Sequence, residues 1–337
     1  MQVSQRQIAD ALNISVITVS RALRDHPDLA ENTKKRILQK AQELGYVKPP
    51  PRLSAAHLAI ADNNPSMHSS GMPRRVGILL YGSPHTDLLR SDVMRSIFLG
   101  LQRECQLHEV ETVVETPLPG DAPLIVKNQT VGGVFLFGRY TPEAIRTLGD
   151  MPALAVSSFI ECDGLPRIVA DNARGMREAT EHLIQLGHKK ILFVSKREMH
   201  TQIFRERADG YVVAMHRAGL APAVRFLVAN EKLPDEEIRR HTALVCASDA
   251  QAYDIQEPLR ARGWNLPSEC SMVAFDNIDA ADHTLKVTSY APDWNMMGKL
   301  AAELLLSRPL DIKGKNLVIT VPGKLVVRHS TSPITTP

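Results

Sequence analysis

From Arg75 onward the chain repeats one pattern for about 250 residues: a short apolar run, a turn, then a stretch with helical spacing. Val76-Gly77-Ile78-Leu79-Leu80 has no polar position, as a parallel strand buried on both faces requires. Further strands are expected at 110–114, 131–137, 153–156, 168–169, 191–194, 226–228, 243–246 and 272–275. Helical patterns fall between them, over 90–105, 172–186, 205–218, 250–262 and 294–306. Strand–helix alternation of this length implies an α/β body built as two doubly wound lobes. No internal repeat of solenoid length is present.

The first 45 residues obey different rules. Ser4 suits an N-cap and Gln7, three residues on, completes a capping box. Ile8, Ala9 and Leu12 share a helical face, Asn13-Ile14-Ser15 breaks it, and Ser15 can cap a second helix over 16–23. That helix turns Val19, Ala22 and Leu23 inward and leaves Val16, Ile17, Thr18, Ser20 and Arg21 nearer solvent, an arrangement suited to a major groove. A third helix over 31–44 presents Ile37, Leu38, Ala41 and Leu44, and Gly45 ends it. The whole reads as a three-helix helix-turn-helix headpiece, residues 1–47.

Net charge over 337 residues is only +3, but its distribution is uneven. Residues 1–52 hold nine Lys/Arg against five acids, so the surplus sits beside the helix-turn-helix and the remainder is close to neutral. One basic end on a neutral body fits phosphate contact there. Pro49-Pro50-Pro51 then stops regular structure, and 48–74 reads as hinge and linker, with only 53–61 able to form helix. Cys105, Cys162, Cys246 and Cys270 are scattered without ligand spacing, so no metal or cofactor is expected. No secretory signal opens the chain and no apolar run reaches membrane-spanning length, which leads to the expectation of a cytoplasmic protein with no membrane partner.

Several blocks together resemble the LacI/GalR family of bacterial transcription regulators. IADALNISVITVSRAL (8–23) is similar to the family's IAxxxxVSxxTVSRxL signature, and VADNARGMREATEHLIQLGHKKILFVS (169–195) to its DNxxGxxxAxxxLxxxGHxxI block. RERADGY (205–211), ALVCASDAQA (243–252), CSMVAFDN (270–277) and GKLVVRHST (323–331) follow in the family's order. The resemblance implies a periplasmic-binding-protein-like body over 75–333 whose lobes are joined by three crossovers, expected near Ser157, Tyr290 and Val321. That places one lobe at 75–157 with 290–321 and the other at 158–289 with 322–333. It also implies a homodimer on a pseudo-palindromic double-stranded operator, with a sugar or sugar derivative between the lobes. The tail after Thr331 lacks an apolar heptad, which favours a dimer over a coiled-coil tetramer. The chain departs from the family at the hinge, PPPRLSAAHLAI, and at Ser248-Asp249, where the family carries Asn-Asp.

By the same resemblance the DNA-binding residues are Ser4, Ser15, Val16, Ile17, Thr18, Ser20 and Arg21. The Arg21 fork suits a guanine edge or a phosphate, competing with a plain solvated arginine. Leu53 is the candidate minor-groove wedge of a hinge helix that forms on DNA. For the effector, Arg207 aligns with a family arginine pointing into the cleft, and Asp276 follows a buried strand at its carboxyl end, where ligands of α/β sheets gather. Ser157 and Ser248 are weaker candidates; a surface arginine and a helix-capping carboxylate are the plainer alternatives for Arg207 and Asp276. His188 reads as structural and not catalytic. A stand-alone solute-binding protein shares the two-lobed body but needs no headpiece. An enzyme lacks support, because no phosphate loop, nucleophile elbow or metal motif appears.

Overall fold

The computed structural model describes residues 5–12, 14, 15, 18, 19, 22, 31–44, 73–82, 91–118, 120–157, 160, 162–196, 201–228, 231–278, 285–307 and 314–334. The chain divides into two compact units, 1–57 and 58–337.

In the first unit α1 (Gln5–Leu12) and α2 (Glu31–Glu43) flank a segment in which residues 18, 19 and 22 are helical. Ile8, Ala9, Val19, Ala22, Ile37 and Ala41 form the core, with Leu12 and Ile14 packed against it. Ser15 caps as its sequence position predicts: its Oγ accepts the Thr18 N–H at 3.0 Å and lies 2.8 Å from the Thr18 hydroxyl. Leu38 and Leu44, expected inward, are instead 45% and 38% exposed. The stripe Ile37–Ala41 already faces the core, and Leu38, one residue beyond Ile37, is rotated by about 100° onto the flank, whereas Leu44 follows the last helical residue, Glu43. Ser4, Val16, Ile17, Ser20, Arg21, Leu53 and the 53–61 hinge segment lie outside the described residues.

The second unit contains two six-stranded sheets. β1 (Arg75–Tyr81), β2 (Glu111–Glu115), β3 (Val134–Gly138), β4 (Ala153–Val156), β5 (Arg167–Ala170) and, from late in the chain, β11 (Val318–Val321) form the first, in the order β2-β1-β3-β4-β5-β11. The second is β7-β6-β8-β9-β10-β12, from β6 (Ile191–Lys196), β7 (Ala223–Leu227), β8 (Ala243–Cys246), β9 (Ser271–Phe275), β10 (Thr288–Pro292) and β12 (Gly323–Val326). Every pairing is parallel except β10 with β12. The inner strands, such as Val134–Gly138 and Ala243–Cys246, are buried throughout, as parallel strands covered by helices on both faces require. The covering helices are α3 (Asp92–Leu107), α4 (Leu124–Lys127), α5 (Pro142–Arg146), α6 (Asn172–Gln185), α7 (Gln202–Arg217), α8 (Asp235–Arg239), α9 (Asp249–Ala261) and α10 (Trp294–Ser307).

Two of the expected lobe boundaries move. Ser157 is not a crossover: Ala155 and Val156 pair with Arg167 and Ile168, so β5 stays in the first sheet and the chain leaves it after Ala170. Tyr290 lies inside β10, paired to Phe275 and Leu325, and the second crossover follows Pro292. The third runs through Pro322, beside Val321. After the second crossover, α10 returns to the first lobe and packs on α3 so closely that a Cβ on Gly298 would strike the Ile97 carbonyl and one on Gly100 the Asn295 carbonyl. Glycine is required at both positions by this contact.

Candidate functional site

β9 is fully buried from Ser271 to Phe275, and the chain turns directly after it. Asp276 and Asn277 both take positive φ, 117° and 54°; the second is a left-handed position that Asn tolerates, whereas the first lies outside that region and needs constraint. The constraint is visible as a set of ties. The Asp276 carbonyl accepts the Trp294 indole N–H at 2.8 Å, and Ser289 Oγ accepts the Asn277 N–H at 3.0 Å. Arg328 Nη2 donates to Asn277 Oδ1, and Asp249 Oδ2 accepts the Ile278 N–H at 3.0 Å.

The turn delivers Asp276 to Arg207. Arg207 projects from α7, is 4% exposed, and donates from Nη2 to Asp276 Oδ1 at 2.9 Å, from Nε to Asn172 Oδ1 at 3.0 Å and from Nη1 to the Ala247 carbonyl at 2.7 Å. Its guanidinium carbon sits 3.7 Å from the Phe275 ring centroid, a cation–π contact in a desolvated setting. Burial pushes Arg207 below and Asp276 above their ordinary values, and each opposes that push in the other by its charge. The pair therefore stands as an ion pair that the rest of the site must keep satisfied. Since Asn172 opens α6 at the first crossover and Trp294 opens α10 at the second, this cluster ties together two of the three strands linking the lobes.

Beside it lies a cavity of about 650 Å³ walled by both lobes. α3 contributes Asp92, Val93 and Ser96; the turn contributes Asp276; the second and third crossovers contribute Trp294 and Lys324. Of the four effector residues expected from sequence, Asp276 lines this cavity and Arg207 reaches it through Asp276. Ser157 sits at the end of β4 with φ 52°, its N–H donated to the Ile168 carbonyl at 2.9 Å, and does not line the cavity. Ser248 caps α9, its Oγ accepting the Gln251 N–H at 3.3 Å. Sequence reasoning missed Asn172, Asp249 and Trp294, although Trp294 carries a readable signal: a large aromatic opening a helix directly after a strand that ends in Pro.

Asp249, the first residue of α9, is 1% exposed and accepts the Ser289 hydroxyl at 2.6 Å. Burial and the neighbouring Asp276 charge push its carboxyl up to about 7. Among the described residues no cluster of His, Cys, Asp or Glu could hold a metal ion, and no helix is long and apolar enough to cross a membrane. All four cysteines are free: Cys105, Cys246 and Cys270 are buried and Cys162 half-buried, with burial raising each thiol. His188, buried between Thr242 and the Ser332 carbonyl, is structural.

Comparison with known proteins now adds to the geometry. Residues 6–49 match the family described as Bacterial regulatory proteins, lacI family, and residues 180–331 match the Periplasmic binding protein-like domain. Catabolite control protein A of Priestia megaterium is 23% identical, covering 98% of this chain and 100% of its own length. Among solved structures, the transcriptional regulator CelR–cellobiose complex superposes with a TM-score of 0.62 at 20% identity, over 98% of this chain and 100% of that one. The lac repressor dimer bound to operator and the anti-inducer ONPF gives 0.62 at 18% identity, over 98% and 100%.

Proposed function

As this chain belongs to the LacI/GalR family of bacterial transcription regulators, we propose that it acts as a cytoplasmic homodimeric repressor whose affinity for a pseudo-palindromic operator is set by a small carbohydrate bound between its lobes. The headpiece is its DNA-binding part, and the body is a ligand-binding device without catalytic function. The observation that carries this reading is the buried Arg207–Asp276 pair beside a cavity walled by both lobes. Three guanidinium nitrogens are already engaged, yet N–H groups of the fork remain, and Asp276 keeps accepting capacity. Adjacent donors and acceptors suit the paired hydroxyls of a sugar, and Trp294 offers an apolar wall for a ring face. The cellobiose complex of CelR is a precedent in this fold for a ligand of that kind.

DNA contact is assigned to Ser4, Ser15, Val16, Ile17, Thr18, Ser20 and Arg21, with Leu53 as minor-groove wedge. Arg21→Ala should weaken operator binding by about 1–3 kcal/mol while leaving ligand binding intact; unchanged affinity in an electrophoretic titration would remove Arg21 from the interface. The full reading is tested by selecting an operator with the intact chain from a random DNA pool. A thermal-shift panel then compares neutral sugars (cellobiose and ribose among them), sugar phosphates, sugar acids and nucleobases, because a cleft ligand stabilises by mass action. A neutral sugar should raise the melting temperature and change operator affinity. Stabilisation by a nucleobase alone, or by a ligand without effect on DNA binding, would overturn it.

A further inference from the structure

Asp249 does not line the cavity, yet it fixes the turn that does. One carboxylate oxygen accepts the Ile278 N–H directly; the other accepts the Ser289 hydroxyl, whose oxygen in turn accepts the Asn277 N–H. Two consecutive amides of a left-handed, non-glycine turn thus depend on one buried carboxyl group. We propose that Asp249 is a positioning residue of the cleft, holding the Asp276–Ile278 turn and, through it, the Asp276 carboxylate against Arg207.

The charged and titratable groups around Asp249 come from every side. Asp276 lies on the turn after β9, Arg328 follows β12, Arg207 stands on α7, and Cys246 ends β8. Arg207 is committed to Asp276, so ionising Asp249 places a second negative charge near a cation that is already paired. Either protonation state can keep the turn closed. When neutral, the carboxyl O–H donates to Ser289 Oγ, and the Ser289 hydroxyl turns to the Tyr290 carbonyl, 3.4 Å away. What changes is the field at Asp276 and at its carbonyl, where the Trp294 indole is bonded. With its carboxyl pushed up to about 7, Asp249 makes that change near neutral pH. The assignment rests on the cleft reading only for what the turn serves, namely ligand contact by Asp276; the geometry of the turn stands without it.

The test needs no ligand. The chain has two tryptophans, Trp264 and Trp294. Labelling the full chain with 5-fluorotryptophan gives a resonance for each, assigned with Trp264→Phe. Between pH 5.5 and 9 the Trp294 resonance should move in one step with a midpoint near 7. Asp249→Asn, which copies the neutral carboxyl in shape and hydrogen bonding, should abolish the step and leave the resonance near its low-pH position. Ser289→Ala removes a hydrogen bond that favours the anion, so it should move the midpoint upward. A Trp294 resonance that does not move with pH, or that moves equally in Asp249→Asn, overturns the titration of Asp249. The hold on the turn is read from Asp249→Ala, which removes both acceptors: the Asn277 and Ile278 amides should exchange with solvent at least tenfold faster than in the wild type, and unchanged exchange overturns the proposal. Because none of these variants removes Arg207 or Asp276, a positive result here can coexist with failure of the carbohydrate screen, and the two failures are told apart.

Discussion

The two lobes share a strand order but not the chemistry at their strand ends. In the second lobe, the described ends of β8 and β9 lead into Asp249, Asp276 and Asn277, which side-chain hydrogen bonds tie to Ser289 inside β10, to Arg207 and to Arg328. In the first lobe, the described ends carry Tyr81, Tyr140 and Ser157. There Tyr81 and Tyr140 meet edge to face with centroids 6.0 Å apart, and Arg139 and Ser157 donate backbone N–H groups. The same doubly wound scaffold therefore supplies a polar grip in one half and a packed wall in the other. What differs is which side chains follow each buried strand, so function is carried by residues grafted onto a repeated frame.

If that contrast is right, mutations of similar size should have unequal effects in the two lobes. The largest effect is expected for Arg207→Ala. It strands Asp276, 17% exposed, without its cation and leaves the Asn172 amide oxygen and the Ala247 carbonyl without their donor, so thermal or urea unfolding should show a loss of about 3–5 kcal/mol. A loss below 1 kcal/mol would mean the cluster is not an energetic unit.

Asp249→Asn is expected to have an intermediate effect of opposite sign. Asp249 ionises near 3.8 in the unfolded chain and near 7 in the folded one. Folding therefore favours its proton, and this contribution is complete below pH 4 and lost as pH rises through 7. The variant carries no such dependence. Its advantage over the wild type should be absent at pH 4, grow toward pH 7 and level off above it, at a gain of up to about 4 kcal/mol. A constant difference at all pH values would place the raised carboxyl elsewhere.

Tyr81→Phe, in the first lobe, should change least. The Tyr81 hydroxyl is buried with no hydrogen-bond partner among the described residues, and burial pushes it up to about 12. Deleting a polar group that is already unsatisfied should shift stability by less than about 0.5 kcal/mol or raise it. A loss comparable to that of Arg207→Ala would erase the contrast between the lobes.

The same contrast explains which parts could be read in advance. Ala153–Val156 and Ala243–Cys246 were legible to the residue because a continuous apolar run bounded by turns identifies a doubly buried strand. Lobe membership was not, since it depends on β5 pairing with β4 and with β11, a partner about 150 residues away. Arg207 and Asp276 could each be singled out, the first by resemblance and the second by its place after a buried strand. That they pair with each other, and that Asn172 and Asp249 brace them, arises from contacts across 29 to 69 positions in sequence that no local pattern encodes. Leu38 failed for the opposite reason: periodicity offered a broader apolar face than a core built on Ile37 and Ala41 could cover.

The claim at the centre of this account is that Asp276 carries the ligand contact of the cleft. Calorimetric titration of the wild type and of Asp276→Asn with the sugar that most raises the melting temperature tests it directly. Asparagine keeps the size of the side chain but gives up the charge-assisted acceptor, worth about 1.5–3 kcal/mol when buried. The affinity of Asp276→Asn should therefore fall at least tenfold, with operator binding by the ligand-free protein unchanged. Equal affinity in the two proteins would contradict the assignment of the cleft.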